Sequence, residues 1–149
     1  MSSRALRTNP QPSHDRRLRI LVADDHAVIR KSVRQILESQ AHFEVCGEAR
    51  DGAEAVAEAQ RLKPDVVVLN ITMPVLDGIA AAREITVKLP ESAIVILSSH
   101  ADKHFVEHAK KSGARAYVAK SKAGEALVRA IEQGRDRRRF CLGRLIGGW

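Results

Sequence analysis

The stretch Asp65-Val-Val-Val-Leu-Asn-Ile-Thr-Met-Pro-Val-Leu-Asp-Gly78 decides the fold of this chain. Its apolar run, residues 66–69, is too short for a helix and contains three β-branched valines, so it predicts a strand buried on both faces of a parallel sheet. The strand should end at Asn70, because Pro74 and the pair Asp77-Gly78 then favour a loop. A polar side chain is therefore expected at the carboxyl end of a core strand, where open α/β sheets bind ligands.

Short apolar runs alternate with segments of helical apolar spacing along the rest of the chain. The predicted strands are residues 18–23, 43–49, 66–69, 93–97 and 115–119. The predicted helices are residues 26–39, 53–62, 79–89, 102–112 and 122–133. Pro90 stops the third helix and Gly113 is well placed to cap the fourth. This alternation predicts an α/β fold in which right-handed crossovers cover both faces of a parallel sheet.

Polar residues also follow three other predicted strands. Asp24 and Asp25 follow the first strand, Ser98 the fourth and Lys120 the fifth. Taken alone, the acid pair is better explained as a helix N-terminus that complements the helix dipole, and a single Ser or Lys at a strand end is usually a solvated loop residue. Their matching positions at the ends of several strands favour a shared site instead.

These separated motifs resemble the response-regulator receiver family of two-component signalling, in which the third strand ends in a phosphate-accepting aspartate followed by a Met-Pro turn and an Asp-Gly pair. The resemblance covers roughly residues 18–134 and extends to receivers of the nitrate-response type of helix-turn-helix regulators. It implies a flavodoxin-like, doubly wound sheet of five parallel strands in the order 2-1-3-4-5, with five helices. The switch point of that order lies between strands 1 and 3.

The resemblance implies a magnesium site at this switch point. Asp25 would bind the ion directly, Asp24 mainly through water, and Thr72 through its backbone carbonyl, with Asn70 as the fourth oxygen donor. Magnesium is a hard cation that takes oxygen ligands and keeps several waters, which suits this set.

The resemblance also implies roles around a phosphoryl group. Ser98 would donate a hydrogen bond to one phosphoryl oxygen, and Lys120 would pair with another or with the acid pair. Tyr117, three residues before Lys120, would move from an exposed to a buried rotamer on phosphorylation, although an ordinary strand aromatic is an equally good explanation of this residue by itself.

Asn70 departs from the family pattern, because the phosphoacceptor position carries an amide. An amide oxygen still ligates cations, but the site loses one negative charge, so magnesium should bind more weakly. A neutral amide is not among the side chains that attack phosphoryl groups, so the protein should be phosphorylation-deficient or phosphorylation-independent. Asn70 is either natural or an introduced substitution that locks the off state.

The positive charge is concentrated at the ends of the chain. The net charge is +7, and residues 1–19 and 135–149 each carry +4, so the middle is nearly neutral. We expect a disordered basic extension at residues 1–17, a receiver domain at 18–134 and a basic tail at 135–149. The arginine-rich ends raise the alternative of nucleic-acid binding, although neither end interleaves its arginines with a set of stacking aromatics.

Histidines 100, 104 and 108 recur at a spacing of four residues. A metal site there would need an early start of the fourth helix and a further ligand, so surface residues near a partner-binding face are the favoured interpretation. The two cysteines, Cys46 and Cys141, form no metal or disulfide pattern, which fits a reducing compartment.

The leading functional hypothesis is a non-enzymatic signalling module that exchanges signals with a sensor histidine kinase or another signalling protein, with homodimerisation as a further expectation. No apolar run approaches membrane-spanning length, so a soluble, cytoplasmic protein is expected.

The chain ends some fifteen residues after the last predicted helix. It is therefore a stand-alone receiver or a fragment of a longer DNA-binding regulator. A flavin or phosphatase protein of the same fold is disfavoured, because Ala-Asp-Asp-His follows strand 1 in place of a Ser, Thr and Gly-rich phosphate loop.

Overall fold

A computed structural model describes residues 16–100 and 102–134. The strands are β1 (Leu18–Ala23), β2 (Phe43–Ala49), β3 (Val66–Leu69), β4 (Ala93–Ser98) and β5 (Ala116–Ala119). The helices are α1 (Ala27–Glu38), α2 (Gly52–Leu62), α3 (Gly78–Lys88), α4 (Lys103–Lys111) and α5 (Ala123–Gly134). The strands form one parallel sheet in the order β2-β1-β3-β4-β5, which confirms the predicted fold class and strand order.

Alternate residues of each strand face opposite layers of helices. One face, with Leu21, Val67 and Ile96, packs against α2, α3 and α4. The other, with Val22 and Val68, packs against α1 and α5. All four residues of β3 are buried, as expected for a central strand covered on both sides.

The element boundaries differ from the predictions where long-range contacts decide them. β4 extends to Ser98 because that residue pairs with Ala119 of β5, and β5 begins one residue later than predicted. A 3₁₀ turn at Lys120–Lys122 delays α5 until Ala123. Gly113 follows α4 with φ of 104°, a left-handed conformation that fits its predicted role in ending the helix.

Two N-terminal arginines take part in the fold. Arg19 donates to the carbonyls of Leu62 (2.7 Å) and Lys63 (3.2 Å), which end α2, and its backbone N–H donates to Asp65. Arg16 forms an ion pair with Asp65 at 2.7 Å, although Arg16 was assigned to the disordered extension. Residues 1–15 of the predicted extension lie outside the described residues, as do Cys141 and the tail 135–149.

A charge network joins α1 to β2. Arg30 and Arg34 both bind the carboxylate of Glu48, and Arg30 also donates to the carbonyl of Asp24 at 2.8 Å. Burial raises the pKa of Glu48, but the hydrogen bonds from the two guanidinium groups outweigh it, so the net pKa lies below its ordinary value. Glu48 therefore ties the helix that follows the acid pair to the edge strand.

This network should make stability fall in acid. Because the folded pKa of Glu48 is below its unfolded value, the unfolded chain binds more protons between the two. The stabilisation from the Glu48 ion pairs is complete above the unfolded pKa, about 4.3, and is lost as the pH falls through the folded pKa. Urea unfolding should show Glu48→Gln clearly less stable than the unmodified protein at pH 7, with the difference shrinking toward pH 3. Glu44→Gln, on the exposed face of the same strand, is the matched control, and equal pH dependence of the two differences would contradict the assignment.

Candidate functional site

The acid pair lies at the carboxyl edge of the sheet, immediately after β1. Asp24 is buried, with 2% of its surface exposed, whereas the side chain of Asp25 is about a third exposed. Asp24 Oδ1 accepts the backbone N–H of His26 at 2.9 Å. Asp24 Oδ2 lies 3.0 Å from Lys120 Nζ, but the two do not have hydrogen-bond geometry. This contact is an ion pair, so Lys120 is the charge partner of the buried Oδ2 oxygen.

Asn70 follows β3 and faces the acid pair. It is buried, and its Nδ2 donates to the carbonyl of Thr72 at 2.7 Å and to Asp25 Oδ1 at 3.4 Å. The amide N–H group thus faces two of the oxygens that the family resemblance implies as magnesium ligands. Asp25, Asn70 and the Thr72 carbonyl are thus in contact, and Lys120 contacts Asp24, so these predicted site residues lie together at the carboxyl edge of the sheet.

Ser98 and Tyr117 both bond to the backbone of His100. Ser98 Oγ accepts the His100 N–H at 2.9 Å, and the Tyr117 hydroxyl donates to the His100 carbonyl. Both side chains are fully buried. Burial raises the pKa of the Tyr117 hydroxyl, which keeps it protonated and able to donate. Ser98, expected to contact a phosphoryl group, and Tyr117, expected to change rotamer, therefore both bind the backbone of the β4–α4 loop at His100.

The β3–α3 loop contains a strained turn. The N–H of Leu76 donates to the Pro74 carbonyl at 2.7 Å, and Val75 between them has φ of 69°. This is a γ-turn of the strained type, and a positive φ is rare for a β-branched residue. The Val75 side chain is 80% exposed, so burial does not offset the strain.

Val75→Gly should therefore stabilise the protein. Glycine adopts positive φ without steric cost, and the relieved strain of about 1–3 kcal/mol should exceed the added chain entropy of about 0.5–1 kcal/mol. We expect the free energy of unfolding in urea to rise by about 1 kcal/mol. Val87 is equally exposed but lies in α3, so Val87→Gly should lower that free energy. If both substitutions destabilised the protein, Val75 would not be strained.

His26 is a potential ligand that the sequence analysis did not identify. Its Nδ1 lies 3.2 Å from Asp24 Oδ1 and 3.2 Å from Asp25 Oδ1. Within the described ranges, these three residues form the only cluster of His, Cys, Asp or Glu donors compatible with a metal ion. The signal was present in the sequence as a histidine directly after an acid pair, but it was interpreted only as the start of a helix.

The spaced histidines do not converge on a metal. α4 begins at Lys103, so His100 lies in the preceding loop, where its ring stacks on Phe105 with centroids 4.4 Å apart. The rings of His104 and His108 lie 4.4 Å apart on the surface of α4. In the part of the chain that the structure describes, no third His, Cys, Asp or Glu joins His104 and His108 in a cluster compatible with a metal ion.

The residues present fit a divalent cation. The pocket holds a buried carboxylate oxygen without a hydrogen-bond donor, a second carboxylate and a backbone carbonyl, all hard oxygen donors. The opposing feature is Asn70, whose amide N–H group faces two of these oxygens. A cation would have to displace that amide or make it rotate, so that its oxygen faces the ion.

Comparison with known proteins gives a consistent assignment. Residues 20–132 match the family described as response regulator receiver domain. The transcriptional regulatory protein DegU of Brevibacillus brevis is 33% identical over 119 residues, which cover 80% of this chain and 50% of that protein. The chain spans about half the length of the curated relatives it matches. No helix among residues 16–100 and 102–134 has the length and apolar character needed to cross a bilayer.

Solved structures share the fold. A two-component response regulator of the LuxR family from Aurantimonas sp. SI85-9A1 is 35% identical with a TM-score of 0.78, covering 83% of this chain and 88% of that one. CheY in a CheX–CheY–BeF3–Mg²⁺ complex from Borrelia burgdorferi is 26% identical with a TM-score of 0.72, covering 76% and 86%. The strand order and the span matched by the family both fit a receiver domain. The chain belongs to the response regulator receiver domain family.

Proposed function

We propose that this receiver signals without being phosphorylated, because Asn70 stands at the position of the phosphoacceptor. The observation that carries the proposal is the placement of a buried amide at the end of β3, hydrogen-bonded to Thr72 and Asp25. An amide has no anionic oxygen to attack a phosphoryl group. The residues around Asn70 are those that would contact a phosphoryl group and its metal ion in a phosphorylated receiver.

Each residue of the pocket has a defined role in this proposal. Asp24, Asp25 and the Thr72 carbonyl would hold Mg²⁺, more weakly than with a third carboxylate at residue 70. When bound, the ion would supply positive charge opposite the oxygens of a phosphoryl group. Lys120 Nζ lies 3.0 Å from Asp24 Oδ2 and offsets the charge of this buried carboxylate.

The contacts of the β4–α4 loop support phosphorylation independence over a simple loss of function. Ser98 and Tyr117 are already buried and bonded to His100 within the chain. In the receiver mechanism implied by the family, these two residues turn inward in response to the phosphoryl group. Here both side chains are already buried and hydrogen-bonded to the His100 backbone, with no phosphoryl group involved.

We also propose that the chain consists of one receiver unit with a basic segment at each end. Residues 18–134 would be the receiver unit, flanked by the basic segments 1–17 and 135–149. Because the relatives include transcriptional regulators about twice as long, the natural setting would be the input domain of such a regulator or a stand-alone signalling partner. A sensor histidine kinase or a downstream signalling protein would contact it.

Nuclear magnetic resonance of the full chain tests this proposal. Addition of acetyl phosphate and MgCl₂ should leave the backbone amide resonances of residues 98–100 and 117–120 unchanged, apart from small shifts that MgCl₂ alone reproduces. The amide of His100 should also be protected from hydrogen exchange, because Ser98 holds it. A phosphodonor-dependent change in these resonances would contradict phosphorylation independence.

A further inference from the structure

A groove lies between α3 and α4, on the sheet face that these two helices cover together with α2. Its volume is about 480 Å³, and small-molecule sites typically have volumes of about 300–1,000 Å³. It is lined by the buried Ile71 and Met73 of the β3–α3 loop and by the partly buried Ile79 and Phe105 of the two helices. A ligand in the groove would therefore cover apolar surface that is open to water.

Aromatic rings form the α4 side of this groove. Phe105 stacks on His100 with ring centroids 4.4 Å apart, and His104 approaches Phe105 edge-on at 5.9 Å. The rings of His104 and His108 lie 4.4 Å apart. Because aromatic rings pair favourably in offset or edge-to-face geometry, this side of the groove suits a ligand that contains an aromatic ring.

Three side chains that line the groove have N–H donors without an acceptor. They are Arg83 of α3 and His104 and His108 of α4, and within residues 16–100 and 102–134 their side chains make no hydrogen bond or ion pair. Because α3 and α4 each connect two parallel strands on the same sheet face, they run in the same direction. Arg83 and His108 are both the sixth residue of their helix, so they lie at the same end of the groove.

The negative charge of the groove lies toward its other end. Of the described residues that line it, Asp77 alone carries a carboxylate. This carboxylate caps α3, because its Oδ1 accepts the N–H of Ala80 at 2.9 Å. Asp77 precedes Arg83 by six residues, which is about 9 Å along a helix axis. An anionic group near Arg83 would therefore be attracted by the guanidinium group and lie away from the carboxylate.

We propose that this groove binds a small aromatic carboxylate, with its ring against Phe105 and Ile79 and its carboxylate facing Arg83 and His108. A guanidinium group matches a planar carboxylate through two parallel N–H···O bonds. A neutral imidazole also donates through its ring N–H, so His108 adds a donor without having to be charged. The apolar lining, the ring contacts and the unpaired donors thus select an aromatic ring that bears one anionic group.

Nuclear magnetic resonance titration of the full chain with sodium 2-naphthoate and with its neutral counterpart 2-naphthamide tests the groove. Naphthoate should bind with a Kd of about 0.1–1 mM, as expected for a ligand of its size. It should shift the amide resonances of residues 79–83 and 104–108, and its ring should show nuclear Overhauser effects to the methyl groups of Ile79. Naphthamide should bind about tenfold more weakly, because it lacks the anionic oxygen that pairs with Arg83. Equal affinities, or shifts confined to other parts of the chain, would overturn the proposal.

A pair of variants on α3 separates a specific contact from a general effect of charge. Arg83→Gln should weaken naphthoate binding about tenfold and leave naphthamide binding unchanged. Lys88→Gln is the matched control, because it removes a positive charge from an exposed position of the same helix, outside the groove, where Lys88 lies 3.8 Å from Glu84. It should leave naphthoate affinity unchanged, and equal weakening by both substitutions would also contradict the assignment.

Other occupants of the groove would give different results. Shifts of the same resonances with protein concentration alone would assign the groove to a second copy of the chain. Tighter binding of an acidic, tryptophan-containing peptide than of naphthoate would assign it to a protein partner, and either result would overturn the proposal. The titrations contain no phosphodonor and no metal ion, so failure here is distinct from failure of phosphorylation independence.

Discussion

Asn70→Asp is expected to form a hydroxylamine-sensitive acyl phosphate on incubation with acetyl phosphate and MgCl₂, whereas the protein with Asn70 stays unlabelled. The substitution supplies the missing attacking oxygen in a pocket that already contains Asp24, Asp25 and Lys120. It also adds a charged ligand, so the affinity for Mg²⁺ should rise about tenfold or more. Mass spectrometry measures the label, and calorimetry the affinity.

Two controls make this experiment decisive. Asn70→Ala removes the amide without adding a carboxylate and should stay unlabelled. Adding Asp25→Asn to Asn70→Asp should abolish labelling, because it keeps the nucleophile and weakens the metal site. Labelling of the unmodified protein at residue 70, or an Asn70→Asp variant that binds magnesium and remains unlabelled, would falsify the assignment of residue 70 as the phosphoacceptor position.

Gly78→Ala should strongly destabilise the protein. A Cβ at Gly78 would lie 2.0 Å from the Asn70 carbonyl oxygen and 2.9 Å from Ile71 Cα, and backbone cannot move aside as a side-chain end can. The Gly78 N–H also donates to the Ile71 carbonyl at 2.7 Å, which ties the start of α3 to the end of β3. We expect the free energy of unfolding in urea to fall by about 2 kcal/mol or more.

Gly124→Ala provides the matched comparison. Gly124 lies in the first turn of α5, and a Cβ there would have open space. The free energy of unfolding should rise by about 0.5 kcal/mol, because alanine is a better helix former than glycine. Equal effects of the two substitutions would mean that α3 and the end of β3 are not in close contact.

Local sequence patterns were sufficient to predict most of the fold. Residues 66–69 were predicted as a buried strand because a short run of β-branched residues has few alternatives, and the structure places all four in the core. Helix and strand ends were less accurate where pairing with distant residues sets them. Ser98 belongs to β4 only because Ala119 pairs with it, and nothing near Ser98 in the sequence reports that contact.

The candidate site was predictable as a set of strand ends, but its detailed contacts were not. Arg19 was predicted to lie in the first strand, but its hydrogen bonds to the carbonyls that end α2 were not predicted. The close approach at Gly78, the positive φ of Val75 and the position of His26 all depend on how two loops meet. Such contacts between loops leave no periodic signal in a single sequence.

The strand order has a consequence for how the chain folds during synthesis. β1 can pair with β2 and then with β3, after which β4 and β5 are each added to the same growing edge of the sheet. At ribosomal rates of about 5–20 residues per second, the apolar edge of β3 would wait roughly 1.5–6 s for β4 to be completed. During that interval the unpaired edge of β3 is open to wrong pairing with other nascent chains, and chaperone contact is expected there.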